Sequence, residues 1–173
     1  MKKIFILSAF LAIISISCKK SNSGNNAYYV TANIDGTAKT FNTHVTAFKS
    51  TQNGLTVLSI VGFATAAVNS ESMSITIGNN PNGSPIVAGT YTELNTNFLT
   101  VGEYNPGSTT FFYGSGLITP PVNIFTVTIT SIDNNTVKGT FSGDVDYMDV
   151  ATSTPGTTKK TITNGTFYAN LSQ

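Results

Sequence analysis

From residue 27 onward the chain alternates apolar and polar positions with a period of two, and clusters of turn-forming residues interrupt it at short intervals. Tyr28, Val30, Ala32 and Ile34 share one face, with Tyr29, Thr31 and Asn33 on the other. Asp35-Gly36 suits the positive φ angles of a tight hairpin, and the chain returns through Ala38 to Phe41. Residues 55–68 are the most continuously apolar stretch of this region and predict a central strand covered on both sides. Met73, Ile75 and Ile77 alternate with Ser72, Ser74 and Thr76, and the sequence GNNPNGSP at 78–85 is a loop. Shorter strands are predicted at 89–91, 98–104 and 109–113, followed by a loop over 114–121.

The C-terminal third is patterned most clearly. Phe125, Val127 and Ile129 point one way, Thr126, Thr128 and Thr130 the other. A turn at Asp133-Asn134-Asn135 leads into Val137, Gly139, Phe141, Gly143, Val145 and Tyr147, all of one parity. A Pro155-Gly156 loop precedes the last strand, 161–168. Its apolar parity shifts between Ile162 and Phe167, which predicts a β-bulge near Asn164-Gly165 with the glycine in the left-handed region. No segment sustains a helical period, and no repeat of fixed length is present. The fold class is therefore all-β, an antiparallel β-sandwich, with a meander β-barrel as the alternative. Residues 27–173 have the length of a single domain able to bury a core.

A different pattern precedes this domain. Lys2 and Lys3 form a positive start, and residues 4–14 are apolar apart from Ser8. That run is shorter than the about 20 residues a spanning helix needs, and it reads as a signal peptide over 1–17. Ser15-Ile16-Ser17-Cys18 then resembles the lipobox of bacterial lipoproteins, although Ser15 stands where a larger aliphatic is usual. Cys18 is the only cysteine, so it is expected to carry lipid rather than a disulfide. Residues 18–26, rich in Ser, Asn and Gly, predict a flexible tether between lipid and domain.

Composition narrows the partners. Charged residues make up 10% of the chain, far below the roughly 25% of ordinary domains, and there is neither arginine nor tryptophan. Without Lys2 and Lys3, seven lysines face eight carboxylates. Such a chain lacks the basic patch that neutralises phosphates, so no nucleic acid partner is expected. Candidate chemistry is thin. His44 is the single histidine and reads as a strand residue. Asp144, Asp146 and Asp149 are the densest acidic cluster and could offer oxygens to calcium. The parity of Asp144 and Asp146, shared with Lys138, Thr140 and Ser142, instead predicts a solvated strand face. Glu71, Glu93 and Glu103 are scattered and propose no carboxylate pair. No catalytic residue, cofactor or metal site is assigned. In Phe111-Phe112-Tyr113, Tyr28-Tyr29 and Phe167-Tyr168, adjacent rings must face opposite sides of a strand. Some of these rings either line an outer face or stack on a sugar or a partner protein.

The run TVTITSIDNNTVKGTFSGDVDY, a variable loop and then TITNGTFYANL resemble the ending of small Bacteroidota outer-membrane lipoproteins that share a domain of unknown function. The hairpin at Ala32-Asn33-Ile34-Asp35-Gly36 and the Gly89-Thr90-Tyr91 step are similar too. The resemblance implies an outer-membrane placement, on the periplasmic face or the cell surface, and implies no activity. Three functions follow as expectations. One is a lipid-anchored, non-catalytic binding or accessory module for a glycan or envelope protein. The others are a structural envelope lipoprotein with no small ligand, and a barrel holding a small hydrophobic ligand.

Overall fold

A computed structural model describes residues 28–79, 83–117 and 123–172. The predicted signal peptide, Cys18 and the tether lie outside these residues. The described chain is all-β. One sheet contains β1 (Tyr29–Ile34), β2 (Thr37–Phe41), β6 (Gly89–Thr92), β9 (Thr126–Ile132), β10 (Thr136–Asp149) and β11 (Thr154–Ser172), in the order β2-β1-β11-β10-β9-β6. The other contains β3 (Thr43–Gln52), β4 (Leu55–Phe63), β5 (Ser72–Asn79), β7 (Phe98–Asn105) and β8 (Phe111–Gly114), in the order β3-β4-β5-β7-β8.

The two sheets join at both ends. The last residues of β11 (Asn170, Leu171, Ser172) pair in parallel with Thr46, Ala47 and Phe48 of β3, and Asp146 to Asp149 of β10 pair with β8. Seven strands therefore close a ring, with β1-β2 and β9-β6 extending one wall. The structure is a sandwich with barrel-like closure, and all its pairings except β11–β3 are antiparallel. Closure pairs both ends of the second sheet, although only three residues of β3 are covered by β11, and so shortens the edge open to strand addition.

The space between the sheets is filled. Val30, Phe41, Ile60, Ile75, Phe125 and Phe167 are at most 1% exposed. Glycines on the second sheet admit the first closely: Gly62 abuts the Phe41 carbonyl and Cβ, and Gly102 abuts the tip of the Phe125 ring. Phe41 also meets Tyr104 edge-on across the layers at 6.4 Å.

Most of the alternation is realised as read. Asp35 and Gly36 turn the first hairpin at φ 49° and 78°. Met73, Ile75 and Ile77 are fully buried. Four local expectations change. The strand in 55–68 ends at Phe63 and alternates buried with half-buried positions, and Val68 is 91% exposed in the loop beyond. The outward positions of β4 are half-buried rather than fully covered. Pro155-Gly156 lies inside β11, because the hairpin turn closes earlier, where Asp149 accepts hydrogen bonds from Thr152 N–H and Oγ1. Pro155 is tolerated near the strand start, where its missing N–H costs little.

The bulge forms where expected, since the register slips on both sides of Asn164. Asn164, not Gly165, takes the left-handed conformation, at φ 52°. Asparagine tolerates that region. Gly165 is needed for another reason: a Cβ there would strike the Phe141 carbonyl and ring. Replacing Asn164 with alanine is expected to cost about 1 kcal/mol, while Asn164→Gly is near neutral. Urea unfolding midpoints of the two variants check the difference. The fourth change is at Asp144. It keeps the parity of Lys138, Thr140 and Ser142 but is only 6% exposed, because Asn123, Lys159 and Thr161 close over its carboxylate.

Candidate functional site

The outward face of the six-stranded sheet carries a row that no local pattern reveals. Thr40 pairs with Thr31, Thr31 with Thr166, Thr166 with Thr140, Thr140 with Thr128, and Thr128 with Thr90. One threonine from each strand thus stands in register across the whole sheet. Thr31 and Thr166 share a hydrogen bond of 2.8 Å, and Thr90 and Thr128 one of 3.1 Å. Beside this row Thr92 pairs with Thr126 and Thr126 with Ser142, with Asn164 following at the bulge. Neither row contains a charged side chain.

The bulge opens a hollow of about 430 Å³ in the middle of this face, lined by residues of β9, β10 and β11. Phe141 and Gly165 are buried beneath it, while Thr128, Thr140, Ser142, Asn164 and Thr166 surround it. Bulges re-aim side chains, and here the left-handed Asn164 is exposed at the rim. Thr140, Ser142 and Asn164 make no side-chain hydrogen bond among the described residues.

One end of the face is aromatic. Two doublets apart in sequence meet here: Tyr28 and Tyr29 both pack edge-on against Tyr168, at 5.1 and 6.3 Å. Lys138 lies 4.5 Å over the Tyr168 ring, and Tyr29 is 37% exposed. The other half of the second doublet, Phe167, is core. Phe111 and Tyr113 point the same way and pack with Tyr147, with Tyr113 also stacked on Tyr104. Phe112 lies on the opposite side, close to Gly114.

The titratable residues named from sequence do not converge. His44 is exposed in a bulge of β3, at φ 50°. Asp144 accepts from Lys159 Nζ at 2.7 Å, Thr161 Oγ1 at 2.8 Å and Asn123 Nδ2 at 3.0 Å. Burial pushes its carboxyl up, but those hydrogen bonds outweigh burial and hold it below the usual value. Asp149 is committed to its turn, and hydrogen bonds from Thr152 hold it low. No group of three metal-ligating side chains occurs among the described residues. Glu71 binds Lys39 at 2.9 Å and accepts the Tyr104 hydroxyl at 3.2 Å. Glu93 accepts the Phe125 N–H at 2.7 Å, and burial raises its carboxyl despite that bond.

Glu103 lies in the β5-β7-β8 sheet between Ser74 and Gly114, and burial pushes it above the ordinary 4.5. A carboxyl raised in the folded state favours folding when protonated, and that advantage fades as pH climbs from 4.5 through the folded value. Glu103→Gln is therefore expected to raise the thermal midpoint at neutral pH and to leave it unchanged below pH 4.5. Melting curves across that range check it.

No protein-family model, curated protein or solved structure matches the chain.

Proposed function

We propose that this protein is a lipid-anchored, non-catalytic binding module of the bacterial cell envelope, held at Cys18 in the outer membrane. The observation that carries the reading is the pair of uncharged rows on the outer face of the six-stranded sheet, with an open hollow and three polar side chains uncommitted among the described residues. Of the carboxylates, Asp144, Glu71 and Asp149 are bound in local contacts. The side chains that fill the interior favour an open surface site over an internal cavity for a hydrophobic ligand. The resemblance to Bacteroidota lipoproteins and the lipobox-like Ser15-Ile16-Ser17-Cys18 support the placement.

Two measurements test this. Replacing Cys18 with serine is expected to move the protein from the detergent phase to the aqueous phase on phase separation, because the acyl chains supply the stable anchor. Retention in the detergent phase would refute the anchor. The full chain, used as bait on solubilised envelopes and against glycan arrays, is expected to retain a ligand. Clean negatives in both leave the structural-lipoprotein reading in its place.

A further inference from the structure

We infer that the threonine face binds a neutral, linear polysaccharide laid across the strands, with one sugar ring seated in the hollow beside Asn164. This rests on the binding-module reading above and names its ligand class. Four features of the face carry it.

The first is charge. Neither the threonine row nor the Thr92-Thr126-Ser142 row beside it has a charged side chain. Lys159, near the second row, is already bound to Asp144, so the rows themselves offer no partner to a phosphate or uronate. Lys138 flanks the face but lies over the Tyr168 ring.

The second is hydrogen-bonding type. Hydroxyls both donate and accept, and a carboxamide supplies two donors and an acceptor, which matches the mixed character of sugar hydroxyls. Thr140, Ser142 and Asn164 can make such bonds without breaking existing side-chain ones. A protein partner would need a desolvated apolar anchor at the centre of the contact. Here the centre is hydroxyl and amide, and aromatic side chains stand only at the edge.

The third is repetition. The five inter-strand steps from Thr40 to Thr90, each about 4.8 Å, span roughly 24 Å. Several sugar rings fit that length end to end, and a repeating ligand meets a repeating row. The sheet's twist makes the row a ramp rather than a plane, which suits a flexible chain better than a flat crystal surface.

The fourth is the Tyr28-Tyr29-Tyr168 corner, where exposed Tyr29 offers a ring to stack on a sugar.

The test uses the full chain in a detergent without a sugar headgroup. Calorimetry is run with di-, tetra- and hexasaccharides of β-1,4-linked glucose, xylose and mannose, and with polygalacturonate as the acidic control. At least one neutral series is expected to bind, with affinity rising with chain length and insensitive to salt. Thr140→Val keeps shape and removes a hydroxyl. Asn164→Gly keeps the left-handed bulge and removes the carboxamide. Each is expected to weaken binding about fivefold, the loss of about one hydrogen bond, with the thermal midpoint unchanged.

The inference is overturned if no neutral series binds, if affinity ignores length, if both variants bind like the parent, or if only polygalacturonate binds. Where the glycans fail but an envelope protein is captured by parent and variants alike, the ligand class is wrong and the module reading stands. Where both fail, the module reading falls too.

Discussion

Replacing Gly102 with alanine is expected to lower the unfolding free energy by about 3 kcal/mol, the upper end of the usual cost of overpacking. In an ordinary strand this change helps, because alanine loses less backbone freedom on folding. Here the added methyl would occupy the space of the Phe125 ring. That ring has no room to retreat. Phe125 is fully buried, its N–H is held by Glu93, and its backbone abuts Gly143. The thermal midpoint should fall by roughly 10 °C for a domain of this size. Combining Gly102→Ala with Phe125→Leu should cost clearly less than the two changes summed, since the smaller side chain vacates the contested space. Strict additivity of the two costs would show that the ring is not what the methyl meets.

Phe167→Ala should cost more, about 4 kcal/mol. Its ring fills the space that the missing side chain of Gly139 leaves, and it packs against Phe141 at 6.4 Å. The cavity cannot collapse easily, because β11 is tied to β1 and β10 along its length and to β3 at its end. A marginal domain holds only about 5–15 kcal/mol in total, so the variant should be partly unfolded well below the parent midpoint. Phe167→Leu should recover more than half of the loss. Chemical denaturation of the three proteins gives the comparison. Equal costs for alanine and leucine would show that shape at this position, rather than buried volume, sets stability.

Both predictions concern positions whose type was legible in sequence but whose partner was not. The parity of Val127 and Ile129 marks Phe125 as inward-facing, yet nothing near residue 125 indicates that Gly102 receives its ring. Asp144 teaches the same lesson in reverse. Its place among Lys138, Thr140 and Ser142 predicts solvent, and Asn123, Lys159 and Thr161 close over it without any change of parity. Strand parity is a local property, whereas what covers an outward position is set by segments distant in sequence. The bulge at Asn164 was legible because it lies in the chain's own apolar parity. The cover over Asp144 was not, because Lys159 and Asn123 reach it from other segments of the chain.

The candidate site divides the same way. Alternation alone makes Thr31, Thr90, Thr128, Thr140 and Thr166 outward residues. Their alignment into one row depends on pairings such as Thr31 with Thr166, which are 135 residues apart. Tyr28 and Tyr168 meet only because β1 lies against β11.

The sequence by itself determined that this is an all-β chain, which faces of its strands are apolar, where its first hairpin turns and where its last strand bulges. It also supplies the lipobox-like setting of Cys18, for which the described residues offer no counterpart. Those properties depend on side-chain period and turn chemistry over a few residues. Only the tertiary structure decided that two sheets close on each other through β3 and β8, that Asp144 is buried, and that six threonines line up above a hollow. Those depend on register between distant strands, and register is set by the packed core as a whole.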